Sequence, residues 1–313
     1  MERSDDLVII GGGAAAWSAA LAARAAGLAT VLVRRAPGAS ALAGGGWRGP
    51  LPDIVADALV AQRIAHDALQ HPLPHPDGEL RAFDYAPASH LAALVETGSC
   101  IVAVDGLPCF RARALARLWG TAASAEVIAD TITLPHTPPA GWATIALAHA
   151  IEANPAVLAA ALRDVVARTG CTRIIMPPVL GVDDPSRVRV VLEAAAGVPV
   201  GEALGVPPSL PGWRLDRALE RAVRAAGVRV VEGDVVDALR ATDRIDALTV
   251  LPRGGSETMQ LAAPRFLLAT GRYVGGGIAA NRVFAETVFG AAVWIEHLGE
   301  RFDDVVPLAL SDP

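Results

Sequence analysis

The sequence is poor in cysteine, and what it has is scattered. Cys100, Cys109 and Cys171 stand apart in 313 residues, with no Cys-x-x-Cys pair. Iron–sulfur clusters and c-type haem need grouped thiols, so this chain alone is expected to carry neither. The same scarcity fits a reducing compartment. No apolar run of about 18 residues escapes interruption by charge, so no transmembrane helix is expected. Residues 1–6 lack the basic start, apolar middle and small-residue cleavage site of a signal peptide, which points to the cytoplasm. Basic blocks are missing too. With a net charge of −6, nucleic acid is a poor partner. His71 and His75 flank prolines with no third ligand nearby, so a surface loop is preferred to a metal site. There is no tandem repeat, and no nucleophile–base pair stands out.

What is abundant is alanine and glycine. Hydrophobic residues make up 52%, and alanine accounts for much of this, as in residues 14–26 and 156–161. Alanine raises helix propensity without building a membrane span, and the apolar surplus is suited to subunit contacts. The length allows about two domains with cores large enough to need no metal or disulfide.

The opening reads strand, glycine turn, helix, glycine, strand, which is a parallel βαβ unit. An apolar strand at 7–10 runs into Gly11-Gly12-Gly13-Ala14-Ala15-Ala16, a helix continues to about Ala26, Gly27 ends it, and a second strand covers 30–33. Gly11 permits the sharp turn, Gly13 leaves room for a diphosphate, and Ala16 stands where the third fingerprint glycine falls. Backbone N–H groups and the helix dipole then favour an anion. An acidic residue is expected at the end of the second strand to take ribose hydroxyls. Arg34-Arg35 occupies that place. An arginine there can favour a 2′-phosphate or a diphosphate; a solvated pair at a strand end explains it equally well. Much later, the strand at 266–269 ends in Ala269-Thr270-Gly271, preceded by β segments at 228–231 and 235–239. Other expected elements are helices at 54–70, 110–119, 155–169 (with Asn154 as N-cap), 187–196 and 213–226, and strands at 100–104, 173–176, 247–252 and 258–262.

In this order the pieces resemble the B-subunit family of anaerobic glycerol-3-phosphate dehydrogenases, within the FAD/NAD(P)-binding Rossmann superfamily. The matching stretches are the start through Trp47, CIVAVDGLPCFRARALARL (100–118), RIIMPPVLGVDD (173–184), LGVPPSLPGWRLDRALERAVRAAGVRVVEGDVV (204–236) and PRFLLATGRYVGGGIAANR (264–282). The implied fold is α/β: a discontinuous flavin-binding domain of residues 1–95 and 205–313, with a second α/β domain inserted at 96–204. The implied cofactor is FAD, with FMN or an empty site as alternatives. Candidate contacts are Gly11, Gly12, Gly13, Ala14, Ala15, Ala16, Arg34, Arg35, Gly44, Gly45, Val235, Ala269, Thr270 and Gly271; catalytic residues are not assigned. The resemblance further implies a multi-subunit complex at the inner face of the membrane. In it a larger flavin subunit oxidises glycerol 3-phosphate and an iron–sulfur subunit passes electrons towards quinone.

One departure is visible. Such flavoproteins continue past the Ala-Thr-Gly strand to a final strand, a Gly-Asp pair and a long helix, and no such pattern is read after Gly271. The expectations are that another polypeptide completes the site, that flavin binds weakly or not at all, or that the product is truncated. A non-catalytic assembly subunit is therefore the alternative function, and an NADP-dependent reductase ranks last. Arg111, Arg113 and Arg117 can steer a phosphate substrate or form a solvated helix face; Asp183-Asp184 can meet a ligand or cap a helix. Cys100 and Cys109 are expected to be buried and inert.

Overall fold

A computed structural model describes residues 5–241, 244–271, 277–280 and 284–288. In chain order the main elements are Leu7–Ile10 (β1), Ala14–Ala25 (α1), Thr30–Arg34 (β2), Asp53–Ala61 (α2), Ser99–Val104 (β3), Ala112–Ala123 (α3) and Ile128–Ile132 (β4). Thr144–Ala153 (α4), Pro155–Thr169 (α5), Arg173–Met176 (β5), Pro185–Ala196 (α6) and Val200–Glu202 (β6) follow. Then come Leu210–Ala225 (α7), Arg229–Arg240 (β7), Ile245–Pro252 (β8), Met259–Ala262 (β9) and Phe266–Leu268 (β10). The architecture is the mixed α/β one expected.

Two compact units divide the chain: residues 1–39 with 223–313, and residues 40–222. The first holds a six-stranded sheet in the order β9-β8-β7-β2-β1-β10. Strands β7, β2, β1 and β10 run parallel, while β8 and β9 fold back antiparallel. The central strand β1 reads Leu-Val-Ile-Ile because both its edges are paired and its faces are covered; Val8 and Ile9 are fully buried. The parallel strand β2 is buried along its whole length. Strand β7 is one twelve-residue strand where two are expected, with register shifts at Val235/Asp237 and Leu239/Arg240. These irregularities let one strand change its pattern without ending.

The second unit carries a fully parallel four-stranded sheet, β6-β5-β3-β4. Its core includes Ile101, Trp119, Leu162, Ile174 and Leu192. The inserted domain is expected at 96–204, whereas this unit also takes in 40–95 and 205–222. Packing gives the reason: Leu73, Ala86 and Ala93, from the segment before β3, sit in the same core as β3 and β5. The helix expected at 54–70 stops at Ala61, and 66–68 is a short strand. Arg63 adopts φ 63°, and Ile64 N–H donates back to the Leu59 carbonyl at 3.0 Å, closing the helix end. Asn154 does stand at the α5 N-cap, but its side chain makes no capping bond.

Candidate functional site

The glycine turn sits where β1 ends between two parallel neighbours. Gly11 N–H donates to the Val33 carbonyl at 2.9 Å, and Ala269 N–H donates to the Ile10 carbonyl at 2.8 Å. Gly11 has φ +150°, and a Cβ there would lie 2.1 Å from the Ala269 oxygen. A Cβ on Gly12 would lie 2.1 Å from the Ala36 oxygen. Backbone therefore approaches backbone on both sides of the turn, which only glycine allows. The segment after β2 closes on it from the third side, with Gly38 N–H donating to the Gly12 carbonyl at 2.7 Å.

The turn then opens α1. Gly13 is its N-cap, no side chain caps it, and no acidic residue lies in its first turn. Among the described residues, the amides of Gly12, Gly13, Ala15 and Ala16 donate no hydrogen bond. Gly12, Gly13 and Ala14 are half-buried and Ala15 is exposed, so no described side chain plugs the turn. Unused N–H groups and the positive end of a twelve-residue helix together form an anion cradle. A dinucleotide diphosphate fits that chemistry.

Around the cradle, Arg34 and Arg35 take different roles. Arg34 is buried, with its guanidinium 5.2 Å from the centroid of the fully buried Trp17 ring and its Nε 4.0 Å from Glu232 on β7. Arg35 is exposed and pairs with Asp234 at 3.1 Å. The solvated-pair reading thus describes Arg35 and not Arg34. Val235 is half-buried on β7 and pairs with Val250. Thr270 and Gly271 follow β10, and Gly271 has φ +74°. Residues 272–276 and 289–313, in the stretch where a completing strand and helix would follow, lie outside the described residues.

Gly44 and Gly45 belong to the second unit. Gly44 accepts from Gly205 N–H at 2.8 Å. A Cβ on Gly45, at φ +119°, would lie 2.8 Å from His90 Nε2. Behind this loop is a buried ionic network that sequence reading missed. Glu202 Oε2 accepts from Arg214 Nη1 at 2.7 Å and Oε1 from Nη2 at 3.0 Å, while Leu180 N–H donates to Oε1 at 2.6 Å. Arg214 Nε also donates to the Gly181 carbonyl at 2.8 Å. Burial alone would raise the Glu202 carboxyl, but the Arg214 charge outweighs it and holds the group at about 2. Burial presses His90 down to about 4, against the pull of Glu202. The only trace of this network in the sequence is a carboxylate inside the apolar run around Glu202.

Several of the remaining candidates have structural partners. Asp184 caps α6, accepting from Arg187 N–H at 3.0 Å, and Asp183 pairs with Arg221 at 3.0 Å. His71 Nε2 lies 3.0 Å from the Leu91 carbonyl, and His75 pairs with Asp77 at 2.8 Å. Arg111 and Arg113 line an open cavity of 690 Å³ at the ends of β3 and β4, and Arg117 faces a separate surface depression. Cys100 is buried as expected, but Cys109 is exposed, because it sits in the loop after β3 and not in the strand.

Comparison with known proteins agrees with this geometry. Residues 6–71 match the FAD binding domain family. The probable B subunit of anaerobic glycerol-3-phosphate dehydrogenase from Halobacterium salinarum is 31% identical, over 97% of this chain and 83% of that protein. The B subunit of anaerobic glycerol-3-phosphate dehydrogenase from Yersinia enterocolitica is 33% identical over 38% of this chain and 28% of its own length. Among solved structures, the 3-ketosteroid delta1-dehydrogenase of Sterolibacterium denitrificans has a TM-score of 0.37 at 15% identity, covering 86% of this chain and 48% of that one, too distant to bear on the site. The similarity to the Halobacterium protein spans the glycine turn, the second unit and the return strand alike, and the chain belongs to the B-subunit family of anaerobic glycerol-3-phosphate dehydrogenases, as an FAD-dependent dehydrogenase subunit.

Proposed function

We propose that the chain holds the diphosphate of FAD at the turn from Gly11 to Ala16 and serves as an electron-transferring subunit of a multi-subunit dehydrogenase. The observation that carries the reading is the set of unused amides at the start of α1, with no capping side chain or first-turn acid to neutralise them. FAD, when bound, supplies hydride acceptance and stepwise electron release. The chain's own part is to bind and orient. Gly12, Gly13 and Ala15 donate N–H groups to the diphosphate, while the contacts of Gly11 and Gly12 with Ala269 and Ala36 fix the turn's shape. Thr270 and Gly271 end the strand beside the turn, and Val235 offers backbone to the adenine.

The substrate is a small phosphorylated alcohol of the glycerol 3-phosphate type, oxidised in the complex. The partners are a larger flavin subunit and an iron–sulfur subunit that passes electrons towards quinone. Membrane association through those partners is part of the same reading; no single described helix is long and apolar enough to cross a membrane. The test is to purify the complex through this chain, release and identify its flavin, and follow dye reduction with glycerol 3-phosphate. Stoichiometric FAD and substrate-dependent reduction are expected. A complex that is active while this chain holds no flavin would instead assign it an assembly role.

A further inference from the structure

Resting on the reading that FAD is held at the glycine turn, we infer that Glu232 on β7, and not a residue of β2, supplies the carboxylate for the adenosine ribose. The last residue of β2 is the usual seat of that acid, because it projects beside the glycine turn where a ribose follows the diphosphate. Here that seat is Arg34, which offers only donors, and its guanidinium is committed to the face of Trp17. The next strand carries the missing charge. Glu232 pairs with Arg34 in the parallel β7–β2 register, so the two residues stand side by side at the same level of the sheet.

The environment of Glu232 suits a ligand acceptor. Arg34 Nε lies 4.0 Å and Arg253 Nη1 3.8 Å from its oxygens, both beyond hydrogen-bond reach. Among the described residues its carboxylate accepts no hydrogen bond, and its side chain is 41% exposed. Asp234, two residues on, differs: Arg35 engages it at 3.1 Å. The acid has thus moved one strand across the sheet, with Arg34 acting as its positioning residue. The ligand class is a ribonucleoside diphosphate with free ribose hydroxyls; a 2′-phosphate would meet the Glu232 charge and be repelled.

The test titrates the full chain, freed of flavin, with FAD, ADP, 2′-deoxy-ADP and 2′-phospho-ADP, read by calorimetry. The wild-type chain is expected to bind ADP about 10-fold or more tightly than 2′-deoxy-ADP, the range for a hydrogen bond to a charged group. Glu232→Ala should weaken ADP about 10-fold and bring the two ligands within about 2-fold of each other. Asp234→Ala, which removes the same charge nearby, should keep the discrimination. Equal binding of ADP and 2′-deoxy-ADP by the wild-type chain overturns the assignment whether or not the variant folds. So does discrimination that survives Glu232→Ala, or a preference for 2′-phospho-ADP, and in each of these cases FAD binding itself stands. A wild-type chain that binds neither FAD nor ADP removes the underlying reading as well.

Discussion

Arg214 and Glu202 bring opposite charges into one dry interior, and each is tolerable only because of the other. Glu202 is 0% and Arg214 4% exposed. Removing one partner strands the other, which costs about 3–5 kcal/mol. Glu202→Gln should therefore lower the thermal midpoint markedly, and pairing it with Arg214→Met should cost less than the two single changes summed. Denaturant melts of the three variants measure this. Two pH windows follow. The unfolded chain protonates its histidines near 6.5, whereas folded His90 resists until about 4, and His66 is shifted in the same direction by burial. Stability should fall as pH drops from 6.5 towards 4, at up to roughly 1.4 kcal/mol per unit from His90, with His66 adding a loss in the same direction. His90→Leu should flatten that slope whatever its effect at neutral pH. Glu202, depressed to about 2, adds a second loss as pH falls from 4.5 towards 2. Thiol chemistry gives a further check. Burial pushes Cys100 up to about 12, and Cys109 is exposed, so alkylation of the folded chain should label Cys109 and spare Cys100. The expectation that both thiols are buried fails for Cys109, because a one-dimensional reading extends the apolar strand into the loop.

Among the elements, the opening β1–turn–α1–β2 unit is the most legible. Its strand is apolar on every position, its turn is made of glycines and its helix ends at Gly27, so local signals and tertiary contacts agree. Gly11→Ala tests the unit as a whole. A Cβ 2.1 Å from a backbone carbonyl cannot be relieved by a rotamer change, so β1 and β10 must separate. The variant should lose about 2–4 kcal/mol of stability and its flavin together, seen as a lower melting temperature and absent flavin fluorescence in the purified protein. Less is legible elsewhere. The helix expected across 54–70 follows its apolar periodicity past the point where Arg63 turns left-handed. Strands β4 and β6 escape a sequence reading because neither is a continuous apolar run (Asp130 and Thr131 interrupt β4, Gly201 and Glu202 end β6), and they gain their identity from pairing with β3 and β5. Helix α4 is hidden in a proline-flanked stretch without a cap signal.

For the molecule as a whole, the fold class and cofactor family can be read from three dispersed segments, but the division of labour cannot. The boundary of the second unit depends on which core Leu73 and Ala86 join, a contact between residues far apart in sequence. The same holds for the ribose acid: β2 alone shows a departure from pattern at Arg34, and only the register with β7 brings Glu232 beside it. Under the proposed function, electron exit likewise belongs to the partner subunits and is not written in this chain's sequence. An anion at the head of α1 underlies the whole proposed role. The most direct measurement is a high-resolution structure of the purified, flavin-loaded chain. The diphosphate should lie within about 3 Å of the Gly12, Gly13 and Ala15 amides; flavin bound anywhere else, with those amides facing water alone, would contradict that role.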